Sequence, residues 1–184
     1  MNRIITRSSL VSGIAAASLC MASAADARDL KFASGVHSGS MGAVAVEAYA
    51  DAVEEHSNGK LTVTTYLQSL LSFMETPDGL RDGMADLGTV LVAYFPSDFP
   101  TTTMFTELTM NLPLQDADPR ESTFAYSAAA ADFVINHCDA CMDEHLDKNQ
   151  IYLGMVGTTP YGLFCTTPIK SAEDLAGKRI RIGG

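Results

Sequence analysis

Tryptophan is absent, and cysteine is scarce, with four in 184 residues. That excludes a small disulfide-dense scaffold. Positive charge is the second shortage: Lys plus Arg total 12 against 22 Asp plus Glu, a net charge of −10. A general nucleic-acid binder needs a basic face, and an anionic membrane surface attracts one, so both partners are excluded. Beyond the first two dozen residues no stretch approaches the roughly 20 apolar residues of a spanning helix. There is no repeat and no compositionally simple segment. What is present suffices for a core. Apolar residues make up 47% and charged residues 18% of a chain long enough for one or two domains.

Residues 1–24 read as an address. Arg3 and Arg7 form a basic start, and an Ala-rich apolar run from Leu10 to Met21 follows. Ala22-Ser23-Ala24 then offers a small-residue cleavage site, with a second at Ala25-Asp26-Ala27. This is the layout of a secretory signal peptide. The run is too short to anchor the chain as a spanning helix. Lipid attachment at Cys20 is the weaker reading, because bulky Leu19 precedes it. Cleavage removes two basic side chains and no acidic ones, and it leaves Cys138, Cys141 and Cys165 in a compartment where disulfides persist. No membrane insertion is expected after cleavage.

The hydropathy pattern then predicts alternating elements. A short strand over 30–33 leads through Gly35-Val36-His37-Ser38-Gly39 into a helix over 41–56. Ser38 or Ser40 is its candidate cap; Met41, Val44, Ala48 and Ala52 are its expected apolar face, and Asn58-Gly59 closes it. A strand over 61–67, a short Pro-entered helix over 75–84 and a strand over 86–92, apolar enough for burial on both faces, follow. The order β-α-β-α-β predicts an α/β fold with a mostly parallel sheet covered by helices. Further on come a short helix over 102–109, a loop over 113–119, and one long helix over 119–146. Its expected stripe is Phe124, Ala128, Ala131, Ile135, Cys138 and Met142. Extended segments over 150–156, 161–165 and 179–182 and a helical turn over 171–175 complete the pattern.

In an α/β fold, ligands sit where strands hand over to helices, beside free N–H groups. His37, in the turn after the first strand, is therefore a candidate hydrogen-bonding residue. Gln68 after the second strand and Tyr94 after the third occupy equivalent loops. The glycines around His37 match neither a dinucleotide fingerprint nor a P-loop. No G-x-S-x-G or HExxH is present, and no nucleophile–base pair is visible, so no catalysis and no cofactor are expected.

His137-Cys138-x-x-Cys141-x-x-x-His145 carries four zinc-ligand types. On one continuous helix, however, 137 points about 100° away from 138, so the four cannot wrap a metal. A redox CxxC belongs at a helix start, and this one is expected late in a long helix. The plain reading is a disulfide, either Cys138 with Cys141 or one of them with Cys165. An exported redox or metal-binding protein built on Cys138 and Cys141 is the alternative function from another class.

The segment Ser171-Ala172-Glu173-Asp174-Leu175-Ala176-Gly177-Lys178-Arg179-Ile180-Arg181 closely resembles a signature of the solute-binding proteins of TRAP transporters, the DctP type. Gly79 to Gly88 resembles that family's "G-l-x-x-G-x-x-D-l-g" stretch, and Phe95 to Pro100 with Leu112-Pro113 resembles its "fP…lP" stretch. The resemblance implies a periplasmic-binding-protein-like fold of two lobes. Lobe I would span 25–157, and the crossover with the start of an incomplete lobe II would span 158–184, as in a C-terminally truncated fragment. It implies a periplasmic, non-catalytic receptor that captures a small organic acid and delivers it to the membrane subunits of a TRAP permease. It also implies that Arg181 grips the substrate carboxylate, a task suited to a planar, permanently charged fork of five donors. Where the family often carries a second Arg, twenty positions upstream, this chain has Tyr161, which donates one hydrogen bond and no charge.

Overall fold

The computed structural model describes residues 27–109, 118–157 and 162–181. The expected signal peptide, most of the 113–119 loop, the expected crossover at 158–160 and Tyr161 lie outside the described residues.

Three parallel strands form the sheet: β1 (Arg28–Ser34), β2 (Leu61–Leu67) and β3 (Leu87–Gly88), in the order β2-β1-β3. β1 pairs along its whole length with β2, from Arg28 opposite Leu61 to Ser34 opposite Leu67. On its other side Phe32 and Ala33 face Leu87 and Gly88. Helices α1 (Met41–His56) and α2 (Thr76–Arg81) make the two crossovers. The chain is thus α/β with a parallel sheet, as its pattern predicts.

Local chemistry sets the bounds of α1. The Ser40 hydroxyl accepts the Ala43 N–H at 3.2 Å. At the other end Asn58 and Gly59 take φ of +54° and +72°, and the Gly59 N–H returns to the Glu54 carbonyl at 2.9 Å. The buried face differs from the expected one. Ala43, Val46 and Ala50 are buried, whereas Met41 and Val44 are exposed. Of the other expected positions, Ala48 is exposed and Ala52 only half-buried, so the buried face is rotated from the expected one rather than chosen by side-chain size. A separate buried cluster of Ala33, Leu71 and Ala85 has Leu80 of α2 and Leu70 packed against it, while the Phe32 ring meets Tyr49 of α1 at 5.7 Å.

The third strand is shorter than predicted. Only Leu87–Gly88 is a strand, although the Asp86 N–H to Lys31 and Thr89 N–H to Ala33 bonds extend the ladder at both ends. A 3₁₀ turn at Val92–Tyr94 then breaks the expected 86–92 run.

Three helices follow: α3 (Pro100–Glu107), α4 (Pro119–His137) and α5 (Asp139–Leu146). The expected single helix over 119–146 is two, broken at Cys138, whose φ of −132° and ψ of 80° are not helical. The expected stripe fails with it. Ala130 and Val134 are the buried positions of α4, while Phe124 and Ile135 are exposed.

α5 takes its direction from tertiary bonds. The Glu144 carboxylate accepts the Thr101 N–H at 2.6 Å, the Thr102 N–H at 3.0 Å and the Thr102 hydroxyl at 2.9 Å. A carboxylate thus caps the positive end of α3. Burial alone would push this carboxyl up, but the hydrogen bonds from Thr101 and Thr102 outweigh it and hold it below the ordinary value. Beyond α5, Lys148 pairs with Asp98 at 2.6 Å, Asn149 donates to the Arg81 carbonyl at 3.1 Å, and Gln150 donates to the Pro77 carbonyl at 2.7 Å. Phe99 and Cys141, both 0% exposed, and Val134 are buried in this part of the chain. The Phe99 ring lies 4.7 Å from that of buried His145, which lies 5.3 Å from the ring of Tyr152.

The predicted strands over 150–156, 161–165 and 179–182 do not form among the described residues. A strand requires a partner ladder for its N–H and C=O groups. None is offered here, and Ile151, Leu153, Val156, Leu163 and Phe164 stay exposed. The 171–175 turn does form, as a 3₁₀ turn at Ala172–Leu175 closed by reciprocal Ser171 and Asp174 bonds.

Phe99→Ala deletes the largest fully buried side chain among the described residues and is expected to cost about 3–5 kcal/mol, read as a lowered urea midpoint. Burial holds the His145 imidazole below its ordinary value of 6.5, against an opposing pull from Glu144. Its Nε2 has no partner among the described residues. The unfolded chain therefore binds this proton first, so the contribution of His145 is complete above about pH 6.5 and is lost as pH falls through the lower folded value. Urea midpoints at pH 7.5 and 5.5 check this, and His145→Gln is expected to shrink their difference.

Candidate functional site

Parallel pairing brings the C-terminal ends of the strands to one edge of the sheet. A cleft of about 430 Å³ opens there, lined by Gly35, Gln68, Ser72, Phe73, Met74 and Tyr94. Gly35 follows β1, Gln68 follows β2, and Tyr94 closes the 3₁₀ turn after β3. The volume suits a small metabolite.

Backbone geometry shapes each wall. A Cβ on Gly35 would fall 2.6 Å from the Phe73 ring and 2.7 Å from the Phe73 backbone nitrogen, so only glycine admits the 72–74 loop here. Gln68 takes φ of +51°, a left-handed conformation that costs a non-glycine residue about 1 kcal/mol. Its N–H bonds the Ser34 carbonyl at 2.8 Å, which holds it in place. Ser34, wholly buried, donates its hydroxyl to Thr89 at 3.1 Å and so ties the end of β1 to the chain leaving β3.

His37 and Gln68 meet. His37 Nδ1 lies 2.6 Å from Gln68 Oε1, and with the amide oxygen as acceptor Nδ1 carries the proton. The His37 ring itself is exposed. The lining residues themselves carry no charge. The Ser72 N–H is already taken by Glu75 Oε2 at 2.9 Å, and that bond holds the Glu75 carboxyl below its ordinary value.

The residues singled out from sequence thus fall into three groups. Gln68 and Tyr94 line the cleft, and His37 is bonded to Gln68. Arg181 is exposed on a non-strand segment, forms no ion pair among the described residues and is not a lining residue. Tyr161 lies outside the described residues. Ser72, Phe73 and Met74 were not anticipated, and the sole signal for them was Gly35, whose missing side chain marks a close approach. Cys138 and Cys141 are joined in a disulfide, while Cys165 is free and exposed. Among the described residues no group of three or more His, Cys, Asp or Glu side chains is arranged to hold a metal. Likewise, no helix there is long and apolar enough to cross a membrane.

No family model matches the chain. Several solved structures resemble part of it, among them these two. One is a TRAP periplasmic solute-binding protein from Desulfovibrio salexigens, 30% identical over 55% of this chain and 30% of that one, with a TM-score of 0.45. The other is a TRAP periplasmic solute-binding protein from Rhodobacter sphaeroides in an open, ligand-free state. It is 24% identical over 65% of this chain and 34% of that one, with a TM-score of 0.45. The chain spans about a third of the length of these structures.

The 2.6 Å contact predicts coupling between two rim residues. In a double-mutant cycle of His37→Ala and Gln68→Ala, read by urea unfolding, the pair is expected to couple by about 0.5–1 kcal/mol.

Proposed function

We propose that this chain is the solute-capturing component of a TRAP-type transporter. In this reading it is exported to the periplasm, holds a small organic acid, and hands it to the membrane permease subunits without chemical change. The observation that carries the reading is the cleft at the C-terminal ends of the parallel strands, with Gln68 and Tyr94 in its wall and His37 bonded to Gln68. That is where α/β sheets bind ligands.

The second support is the segment that resembles the family signature. Asp174 accepts the N–H groups of Lys170 at 2.8 Å and Ser171 at 3.0 Å, which makes 170–177 an ordered turn leading to Arg181. In the proposed role residues 25–157 form one lobe, and 158–184 form the crossover and the start of a second lobe. The second lobe brings the Arg181 guanidinium against the acid, and Tyr161 adds a neutral donor in place of a second cation. The uncharged lining accounts for the need: the first lobe offers hydrogen bonds and apolar walls but no countercharge.

Thermal unfolding with a panel of mono- and dicarboxylates tests this. An acid at about a hundred times its dissociation constant adds about 2.7 kcal/mol, a rise of several degrees. Arg181→Ala is expected to remove the rise, and His37→Ala to reduce it. If no acid shifts the transition, or if Arg181→Ala leaves the shift intact, the reading is wrong.

A further inference from the structure

The Cys138–Cys141 bond is left over from everything above. Its position is not the one that its spacing in the sequence suggested. Cys138 is the N-cap of α5, and its Sγ accepts the Cys141 N–H at 3.2 Å. The pair therefore lies at a helix start, where free N–H groups favour a thiolate.

Three further observations bear on it. The two sulfurs differ in access, since Cys138 is half-buried and Cys141 wholly buried. The bond spans a sequence separation of 3, close to the smallest loop a disulfide can close, so it restricts the unfolded chain very little. And α5 does not depend on it for attachment. Glu144 bonds Thr101 and Thr102, Lys148 pairs with Asp98, and Gln150 reaches the Pro77 carbonyl. A bond that adds little as a staple, on an element anchored by other means, is free to open and close.

We propose that Cys138–Cys141 is a reversible thiol–disulfide exchange site, with Cys138 as the sulfur that reacts with an external thiol and Cys141 as the resolving sulfur. The thiolate of an external thiol attacks Cys138 Sγ. The S–S bond breaks, and its electron pair leaves on Cys141 Sγ, which takes a proton from water. A second thiolate attacks the external sulfur of the mixed disulfide and frees Cys138 as a thiolate beside the Cys141 N–H. Two thiols become one disulfide, and the protein's disulfide becomes two thiols. The reverse sequence reduces an external disulfide to two thiols and re-forms the Cys138–Cys141 bond. The site is separate from the cleft and does not rest on the solute-binding reading.

The test uses the whole chain carrying Cys165→Ser, equilibrated with mixtures of reduced and oxidised glutathione, quenched in acid, and analysed by alkylation and mass. Oxidised and dithiol forms are expected to coexist across those mixtures; a structural disulfide stays oxidised in all of them, and that outcome overturns the proposal. Adding Cys141→Ser should let oxidised glutathione trap a mixed disulfide on Cys138. Adding Cys138→Ser instead should slow trapping on Cys141 at least tenfold. Equal trapping in the two variants overturns the assignment of roles. The equilibrium measurement removes neither cysteine of the pair, so it decides the matter even if a variant fails to fold.

Discussion

Parallel pairing of β1 with both of its neighbours is the constraint from which the rest follows. Parallel strands cannot be joined by tight hairpins, so each connection must cross over through a helix and return. Every strand then ends at the same edge of the sheet. Gly35, Gln68 and the chain after Gly88 are 33 or fewer residues apart in sequence from one to the next, yet they converge because the register sets Ser34 opposite Leu67 and Ala33 opposite Gly88. The cleft is a product of topology before it is a product of side chains. The Ser34–Thr89 hydroxyl bond and the Gln68 N–H to Ser34 bond then fix what topology has gathered.

The second half of the described chain depends on a charge at a helix end. α3 begins at Pro100, and its first free N–H groups meet the Glu144 carboxylate. Carboxylate and helix end satisfy one another, and neither is left as an unpaired group in a partly dry setting. The bond reaches across 43 residues and draws α5 against α3, which places His145 beside Phe99. α5 is a helix distinct from α4, and the two cysteines lie at its start.

What the sequence disclosed and what it hid divide along this line. The bounds of 41–56 and 61–67 were legible because adjacent residues decide them: the Ser40 cap, the Asn58-Gly59 stop, and the β-branched alternation of Val63 and Thr65. The face of α1 was misread because periodicity weighs size and hydropathy, and Met41 and Val44 score high. The face that is buried carries Ala43, Val46 and Ala50. The break at Cys138 was hidden because the apolar pattern runs through it, and the bonds that hold α5 come from Thr101 and Thr102, which lie far away in sequence. The meeting of Gln68 and Tyr94 at one cleft follows from topology, since loops after parallel strands converge. Phe73 was missed because it enters through a gap that only the absence of a side chain at Gly35 announces. The late strands were expected from β-rich composition, but composition cannot supply the partner that a ladder needs.

The cleft's lack of charge has a consequence for how an acid would be held in the proposed role. A carboxylate against Gln68, Ser72 and Tyr94 keeps most of its water, because hydrogen bonds from neutral groups only replace those of the solvent. A guanidinium brought from another segment changes the balance. At 4 Å its attraction for the carboxylate is about 1 kcal/mol in bulk water and about 4 kcal/mol at the effective dielectric of a protein surface. The countercharge therefore gains most of its value when the gap closes and water leaves. In the proposed role, binding and closure would be one event: a neutral first wall would not hold the acid alone, and an exposed Arg181 outside the cleft lining would not hold it in the open. With the cation built into the cleft itself the acid would bind before closure. In the proposed role, separating the two would make capture report that both walls have met.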